Sequence, residues 1–187
     1  MKPFIIITGP QAVGKMAVGM ALREKYSYRL FHNHMTIEMV KDIYGVLNKE
    51  TWSLVGDMRE VIFDNAVTQD LPGFIFTYVW AFDMDSDNKS VYELIKKFED
   101  HDWDVTIVEL EADVETRLGR NRTELRLKEK STKRDIEWSD SELLNTMEKY
   151  RLISNEGEIV HPSYIRINNE NLEPEEVAEQ IYNYINK

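Results

Sequence analysis

The sequence predicts an α/β fold, a mainly parallel sheet with helices packed on both faces. Three observations predict it. Short runs rich in β-branched and aromatic residues alternate with stretches of helical periodicity. The first run, Phe4-Ile5-Ile6-Ile7, is apolar without alternation, as a strand covered on both faces must be. Gly9-x-x-x-x-Gly14-Lys15 joins that strand to the helix after it, at the sheet edge where parallel sheets collect ligands.

The elements follow in order. Pro3–Thr8 is the first strand. Lys15–Tyr26 is a helix whose opening turns are apolar nearly all round (Met16, Ala17, Val18, Met20, Ala21, Leu22), which suits packing against a sheet. A short second strand over Tyr28–Phe31 runs into His32-Asn33-His34. Helical spacing resumes from Thr36 to about Asn48, then from about Thr51 to Leu71, where Leu54, Met58, Val61, Ile62 and Ala66 recur on one face. Pro72-Gly73 stops that helix.

Phe74–Phe82, aromatic and β-branched throughout, reads as a third strand ending in the acidic stretch Asp83-Met84-Asp85-Ser86-Asp87. Lys89–His101 is helical, with Asp87 a candidate cap. Val105–Leu110 is the fourth strand, and Asp113 suits the N-cap of the next helix. Ser139 to about Ser154 is helical and Tyr164–Ile167 is the fifth strand. Pro174–Ile185 closes the chain as a helix, with Pro174 in its first turn and Val177, Ile181 and Ile185 on its buried stripe.

At 187 residues the chain is long enough to bury a core as one domain spanning 1–187. It has no cysteine, which excludes disulfides and thiolate metal sites and fits a reducing compartment. No apolar run approaches bilayer length and no leader pattern is visible, so a cytoplasmic location is expected, with no membrane partner. The net charge of −11 argues against nucleic acid as a general partner. Residues 117–134 run the other way, with eight basic residues against two acidic ones. A basic island in an acidic chain suits one small anion rather than a long polyanion. Oligomeric state is not legible.

The glycine-bearing turn has a physical purpose. Gly9 and Gly14 let the backbone bend tightly enough for the amides of Gln11, Ala12, Val13, Lys15, Met16 and Ala17 to face one phosphate, and the helix N-terminus adds its positive end. Lys15 would then reach the outer phosphates as a point charge. Met16 stands where a Ser or Thr normally ligates Mg²⁺, and a thioether is too soft a donor to replace it. Two readings stay open: Mg²⁺ held by nucleotide phosphates, waters and carboxylates elsewhere, or a nucleotide bound but turned over poorly.

"FIIITGPQAVGKMAVGMAL", residues 4–22, resembles the opening of P-loop small-molecule kinases, the group containing adenylate, shikimate and chloramphenicol-modifying kinases. "EADVETRLGRNR", residues 111–122, is similar to the adenylate-kinase pattern of strand, capped helix and paired arginines. The resemblance implies a three-layer fold with strand order 2-3-1-4-5, ATP and Mg²⁺ as cofactors, and a small-molecule phosphate acceptor. It places Arg117 against the adenine and Arg120 on phosphate. It makes residues of about 120–138 a helical lid, with Arg122, Arg126 and Arg134 as closing charges. The alternative for this segment is a solvated, charge-laced helix.

On the acceptor side, strand alternation would point His32 and His34 the same way. In the kinases this chain resembles, the end of the second strand faces the acceptor, so either His34 serves as base or no strong base is needed. Asp83, after an apolar strand, is a candidate for holding Mg²⁺ through water or contacting the acceptor. The helical region of about 36–71 would cover that acceptor, with Arg59 as a possible anion contact and Trp52, Trp80 and Phe82 as stacking surfaces or core. The expected function is ATP-dependent phosphotransfer to a small cytoplasmic molecule. The alternatives are a nucleotide-binding sensor with little turnover, suggested by Met16, and a nucleic-acid binder using the basic segment.

Overall fold

The computed structural model describes residues Met1–Lys187. Five strands form one parallel sheet: β1 (Lys2–Thr8), β2 (Arg29–His32), β3 (Phe74–Thr77), β4 (Trp103–Glu111) and β5 (Tyr164–Asn168), in spatial order β2-β3-β1-β4-β5. Eight helices complete the fold: α1 (Lys15–Tyr26), α2 (His34–Tyr44), α3 (Lys49–Ala66), α4 (Asp85–Glu99), α5 (Val114–Asn121), α6 (Glu124–Glu129), α7 (Ile136–Lys149) and α8 (Pro174–Ile185). A 3-10 turn, Ser131–Lys133, links α6 to α7. The predicted α/β fold and strand order are those observed. No helix is long and apolar enough to cross a membrane.

The sheet is buried on both faces because β1 feeds both. Phe4 and Ile6 enter one core with Phe31, Phe74, Phe76, Phe98 and Ile107, while Ile5 and Ile7 enter the other with Val18, Leu22, Ile75, Val108 and Ile181. Alternate residues of a strand face opposite ways, so an unbroken apolar run is what a central strand needs. The first core stacks aromatic rings, Phe4 on Phe98 at 3.6 Å between centroids. Each such buried side chain contributes about 1.5–3 kcal/mol.

Several boundaries depart from the sequence expectation. β3 ends at Thr77, not Phe82. Tyr78 still donates its amide to the Ile7 carbonyl, 3.0 Å, and then the chain leaves the sheet. The first turn of α4 supplies replacement partners: Asp87 accepts from the Ala81 amide at 3.1 Å, and Asn88 accepts from the Trp80 indole at 2.7 Å. Trp80 and Phe82 are therefore core residues without being strand residues. α4 starts at Asp85 rather than Lys89, and Met84, not Asp87, is its N-cap.

α2 starts at His34 and stops at Tyr44, where Gly45 takes a left-handed conformation (φ 70°). α3 starts at Lys49 because Asn48 and Thr51 form a reciprocal capping box, and it ends at Ala66 rather than Leu71. α7 covers Ile136–Lys149, three residues earlier than expected at its start, because Asp135 accepts from the Trp138 amide at 3.0 Å.

The order β2-β3-β1-β4-β5 requires the chain to leave β1 toward one sheet edge and, after β3, to cross β1 toward the other. Such a switch point opens a crevice at the carboxyl ends of the strands.

Candidate active site

That crevice holds a cavity of about 750 Å³. The loop between β1 and α1 lines it. Gly9 adopts φ 128°, where a Cβ would lie 2.3 Å from the Leu110 carbonyl oxygen, and Gly14 adopts φ 111°. Ala12, at φ 60°, carries the same left-handed turn on a residue that normally avoids it. The consequence is chemical. None of the seven backbone amides from Gln11 to Ala17 donates to a protein acceptor. Unpartnered amides at a helix N-terminus form an anion cradle.

Two side chains brace this loop from behind. Arg120 donates from Nη1 to the Val13 carbonyl at 2.9 Å, and Asn169 donates from Nδ2 to the same oxygen at 2.9 Å. Arg120 also donates from Nη2 to the Asn169 carbonyl at 2.6 Å and to the Glu170 carbonyl at 3.2 Å. It lines the cavity as expected, but its two terminal nitrogens are already occupied by protein oxygens. Arg117, placed against the adenine by the resemblance, lines a neighbouring cleft with Pro10, Met147 and Asn168 instead of the large cavity. It is buried outside the large cavity, with Nη2 2.8 Å from the Met147 sulfur and Nη1 3.5 Å from the Gln11 carbonyl.

Lys15 folds back on its own loop, donating to the Gly9 carbonyl at 2.6 Å and the Pro10 carbonyl at 2.7 Å. Arg126, Lys130 and Lys133 join it around the cavity from α6 and the 3-10 turn. Burial, then the charges of Lys130, Arg126 and Arg117, hold the Lys15 ammonium well below its ordinary range. Burial followed by Arg126 and Lys133 brings Lys130 down to about 7. Lys133 pairs with Glu142. Arg126 and Lys130 pair with no carboxylate, and the Arg126 Nε is buried without any partner.

The same cavity is lined by Asn33, His34, Ile37, Leu47, Trp52, Thr77 and Val79. His32 and His34 do not point the same way. Only His32 belongs to β2; His34 opens α2, and a helix turn replaces strand alternation. His34 donates from Nδ1 to Glu38 at 2.9 Å, one turn on. Burial, together with Lys130 and Lys133, holds its ring at about 3 against the opposing pull of Glu38. The ring is thus neutral, and with Nδ1–H committed to Glu38 its Nε2 is the free acceptor. Burial works against the Glu38 charge, but hydrogen bonds from His34, Ser131 and Thr132 keep the carboxyl at about 2. Those bonds tie the 3-10 turn to α2: Ser131 Oγ at 2.6 Å, and Thr132 through its amide at 3.0 Å and its hydroxyl at 2.5 Å. Arg59 lies nearby, donating to Thr36 Oγ1 at 3.3 Å and the Asn33 carbonyl at 3.5 Å.

Asp83 is not part of this arrangement. The early departure of the chain from β3 carries it to an exposed position, where it accepts from the Arg151 amide at 3.1 Å. Arg122 and Arg134 likewise do not line the cavity. Arg122 is exposed and paired with Asp140 at 2.7 Å, while Arg134 is exposed and donates to the Leu127 carbonyl at 3.1 Å. Of the three arginines expected in the lid, only Arg126 faces the cavity.

The loop itself offers a magnesium ion no hydroxyl, so an ion there would be held by nucleotide phosphates, waters and other side-chain oxygens of the cavity. Met16 lines the cavity where a hydroxyl would be needed. The carboxylates lining the cavity are already engaged: Glu142 by Lys133, Glu170 by the Asp113 amide at 2.8 Å, and Glu173 by the capping box of α8. Nowhere do three or more His, Asp or Glu side chains gather as a metal site. Three side-chain oxygens are buried without a partner, Thr8 Oγ1, Gln11 Oε1 and Asn33 Oδ1, and the last two belong to residues lining the cavity; an ion that keeps most of its waters needs only one or two such protein oxygens beside the phosphates.

Sequence reasoning missed Asn169, Glu38, Lys130 and Lys133. The basic run signalled the two lysines as a group but not which members face inward. Glu38 carried a usable signal, since it follows His34 by four residues, the spacing of one helix turn. Asn169 carried none, because its contact lies 156 residues away at Val13.

No protein-family profile matches the chain, and no curated protein matches it by sequence. Solved structures do match in fold. A gluconokinase from Sinorhizobium meliloti superposes with TM-score 0.58 at 15% identity, covering 98% of this chain and 92% of that one. The tunicamycin resistance protein of Deinococcus radiodurans gives TM-score 0.56 at 20% identity, covering 99% and 96%. A shikimate kinase from Acinetobacter baumannii gives 0.53 at 18% identity, covering 99% and 93%. This chain has the P-loop kinase fold that they share.

Proposed function

We propose that this chain is an ATP-dependent phosphotransferase acting on a small hydroxyl-bearing molecule. One observation carries the reading. The unpartnered amides of Gln11–Ala17, the cations Lys15, Arg126 and Lys130, and a neutral, carboxylate-anchored His34 gather around one cavity. A fold shared with small-molecule kinases supports it.

In this reading the triphosphate rests on the loop amides at the N-terminus of α1, and Lys15 leaves the Gly9 and Pro10 carbonyls to meet its outer oxygens. The acceptor oxygen attacks the γ-phosphorus as the bond to the β–γ bridging oxygen breaks. The acceptor proton passes to His34 Nε2, and the products are the phosphorylated acceptor and ADP. Lys15, Arg126 and Lys130 neutralise charge on the transferring oxygens. The Glu38 bonds to Ser131 and Thr132 hold the lid over the reacting groups, which excludes water. Ile37, Leu47, Trp52 and Val79 favour an acceptor with an apolar or planar face.

Met16 favours a second reading, a nucleotide-binding sensor with little turnover. One experiment separates the two: ADP formation followed across a panel of nucleosides, sugars, shikimate-like acids and antibiotics, with Lys15→Ala as control. Acceptor-dependent ADP formation that Lys15→Ala abolishes supports the kinase. Calorimetric ATP binding with no acceptor-dependent ADP supports the sensor.

A further inference from the structure

We infer that Glu38 is a positioning residue that couples two events: its carboxylate seats the His34 ring and also anchors residues 124–133, so the base is presented only while that segment lies against α2. The inference deepens the kinase reading and rests on it for the role of His34 as base.

Four observations carry it. The first is that one carboxylate is saturated from two sides. Glu38 Oε1 accepts from His34 Nδ1 at 2.9 Å and from the Thr132 hydroxyl at 2.5 Å, while Oε2 accepts from the Ser131 hydroxyl at 2.6 Å and the Thr132 amide at 3.0 Å. A helical His–Glu pair one turn apart needs only the first of these bonds. The other three come from a turn 93 and 94 residues further along the chain.

The second observation is exclusivity. Every hydrogen bond that residues 124–133 make outside the stretch from α5 to α7 ends on Glu38. The third is enclosure, with the Glu38 and His34 side chains only 14% and 17% exposed. A carboxylate so enclosed that loses three donors must turn toward water, and the ring bonded to it turns too. The fourth is what else the segment carries. Lys130 and Lys133 flank Ser131 and Thr132 in sequence, and both line the cavity. The charged groups acting on the ring are Glu38 from its own helix and these two lysines from the segment, which favour its neutral form.

One contact therefore brings the cations and the seated ring to the same cavity. A nucleotide that draws Arg126 and Lys130 onto its phosphates also holds the 131–132 turn in place, and the ring with it. A cavity standing open to water has neither, which limits wasteful hydrolysis. In the transfer step the acceptor proton goes to Nε2 and Glu38 takes none; the carboxylate fixes which ring nitrogen is free.

The test is NMR of the intact chain, labelled with ¹⁵N at its four histidines, in EDTA at neutral pH. The Nδ1–H proton of His34, identified by its loss in His34→Gln, is expected as a slowly exchanging signal in the natural chain. Ser131→Ala combined with Thr132→Val removes both hydroxyl donors and leaves Glu38 and His34 in place. It should speed exchange of that proton by about tenfold and lower kcat at saturating ATP by about tenfold. Thr132→Ser, which keeps its hydroxyl, should match the natural chain in both readouts within about twofold. Ser131→Ala alone should change both by about threefold, and it serves if the double variant does not fold.

Unchanged exchange in the double variant, or faster exchange with unchanged kcat, overturns the inference and leaves the kinase reading standing. Lower kcat without faster exchange also overturns it, since the segment then acts through its cations alone. Faster exchange in the double variant, when the natural chain forms no acceptor-dependent ADP, upholds the link from segment to ring and overturns the kinase reading.

Discussion

Arg120 and Asn169 converge on a single oxygen, each donating a 2.9 Å hydrogen bond to the carbonyl of Val13. They also bond each other, Arg120 Nη1 to Asn169 Oδ1 at 3.2 Å and Nη2 to the Asn169 carbonyl at 2.6 Å. The phosphate loop is therefore held by α5 and by the turn after β5, two elements remote from it in sequence. A loop held from behind keeps its amides in place before a ligand arrives, and that preorganisation is where binding energy is saved.

Asn169→Ala removes one half of this brace at a buried position. Loss of a buried hydrogen-bond pair costs about 1–2 kcal/mol, which for a chain of this size lowers Tm by about 4 °C. ATP affinity should fall several-fold with it, because the Val13 amide and its neighbours lose their fixed geometry. Scanning fluorimetry and calorimetry read the two effects. An unchanged Tm together with unchanged affinity would remove Asn169 from the site.

The His34–Glu38 pair makes a kinetic prediction. A neutral ring with Nε2 free suits a base, so His34→Gln should lower kcat by about a hundredfold and leave KM for ATP nearly unchanged. Because burial holds the ring at about 3, the plot of kcat/KM against pH should show no acid limb near the ordinary histidine value of 6.5. A limb at that pH, abolished in His34→Gln, would mean the free ring is charged and the tautomer assignment wrong.

Lys130 links function to stability. Burial, Arg126 and Lys133 lower its ammonium from 10.5 to about 7 in the folded chain. Between those two values the unfolded chain binds the extra proton, so stability rises with pH across that window, and the full cost is present below about 7. Lys130→Met should therefore raise Tm at about pH 6, with the gain shrinking above about pH 7 and vanishing only above 10.5, and should weaken ATP binding near neutrality. In the natural chain, anion binding should draw a proton onto Lys130 near neutrality, visible as calorimetric enthalpies that change with buffer. A Tm at about pH 6 that is lowered by Lys130→Met would show the lysine to be structurally stabilising instead.

Periodicity and turn chemistry sufficed for the parallel sheet, the glycine-bearing loop and its Lys15, because these depend on near neighbours along the chain. Phe4 to Ile7 are apolar on both faces for one reason, and Gly9 is glycine because a Cβ would meet Leu110. The same local logic misplaced Asp83. Whether the run after Phe74 stays in the sheet depends on Asp87 and Asn88 capturing the backbone and indole of Ala81 and Trp80, and no pattern within the run records that. It also misjudged the basic segment, where Arg126, Lys130 and Lys133 turn inward while Arg122 and Arg134 turn out. Burial preference is written residue by residue, but convergence is a matter of distances across space. Only the packed fold brings Asn169 to Val13, and the Glu38 carboxylate to Ser131 and Thr132.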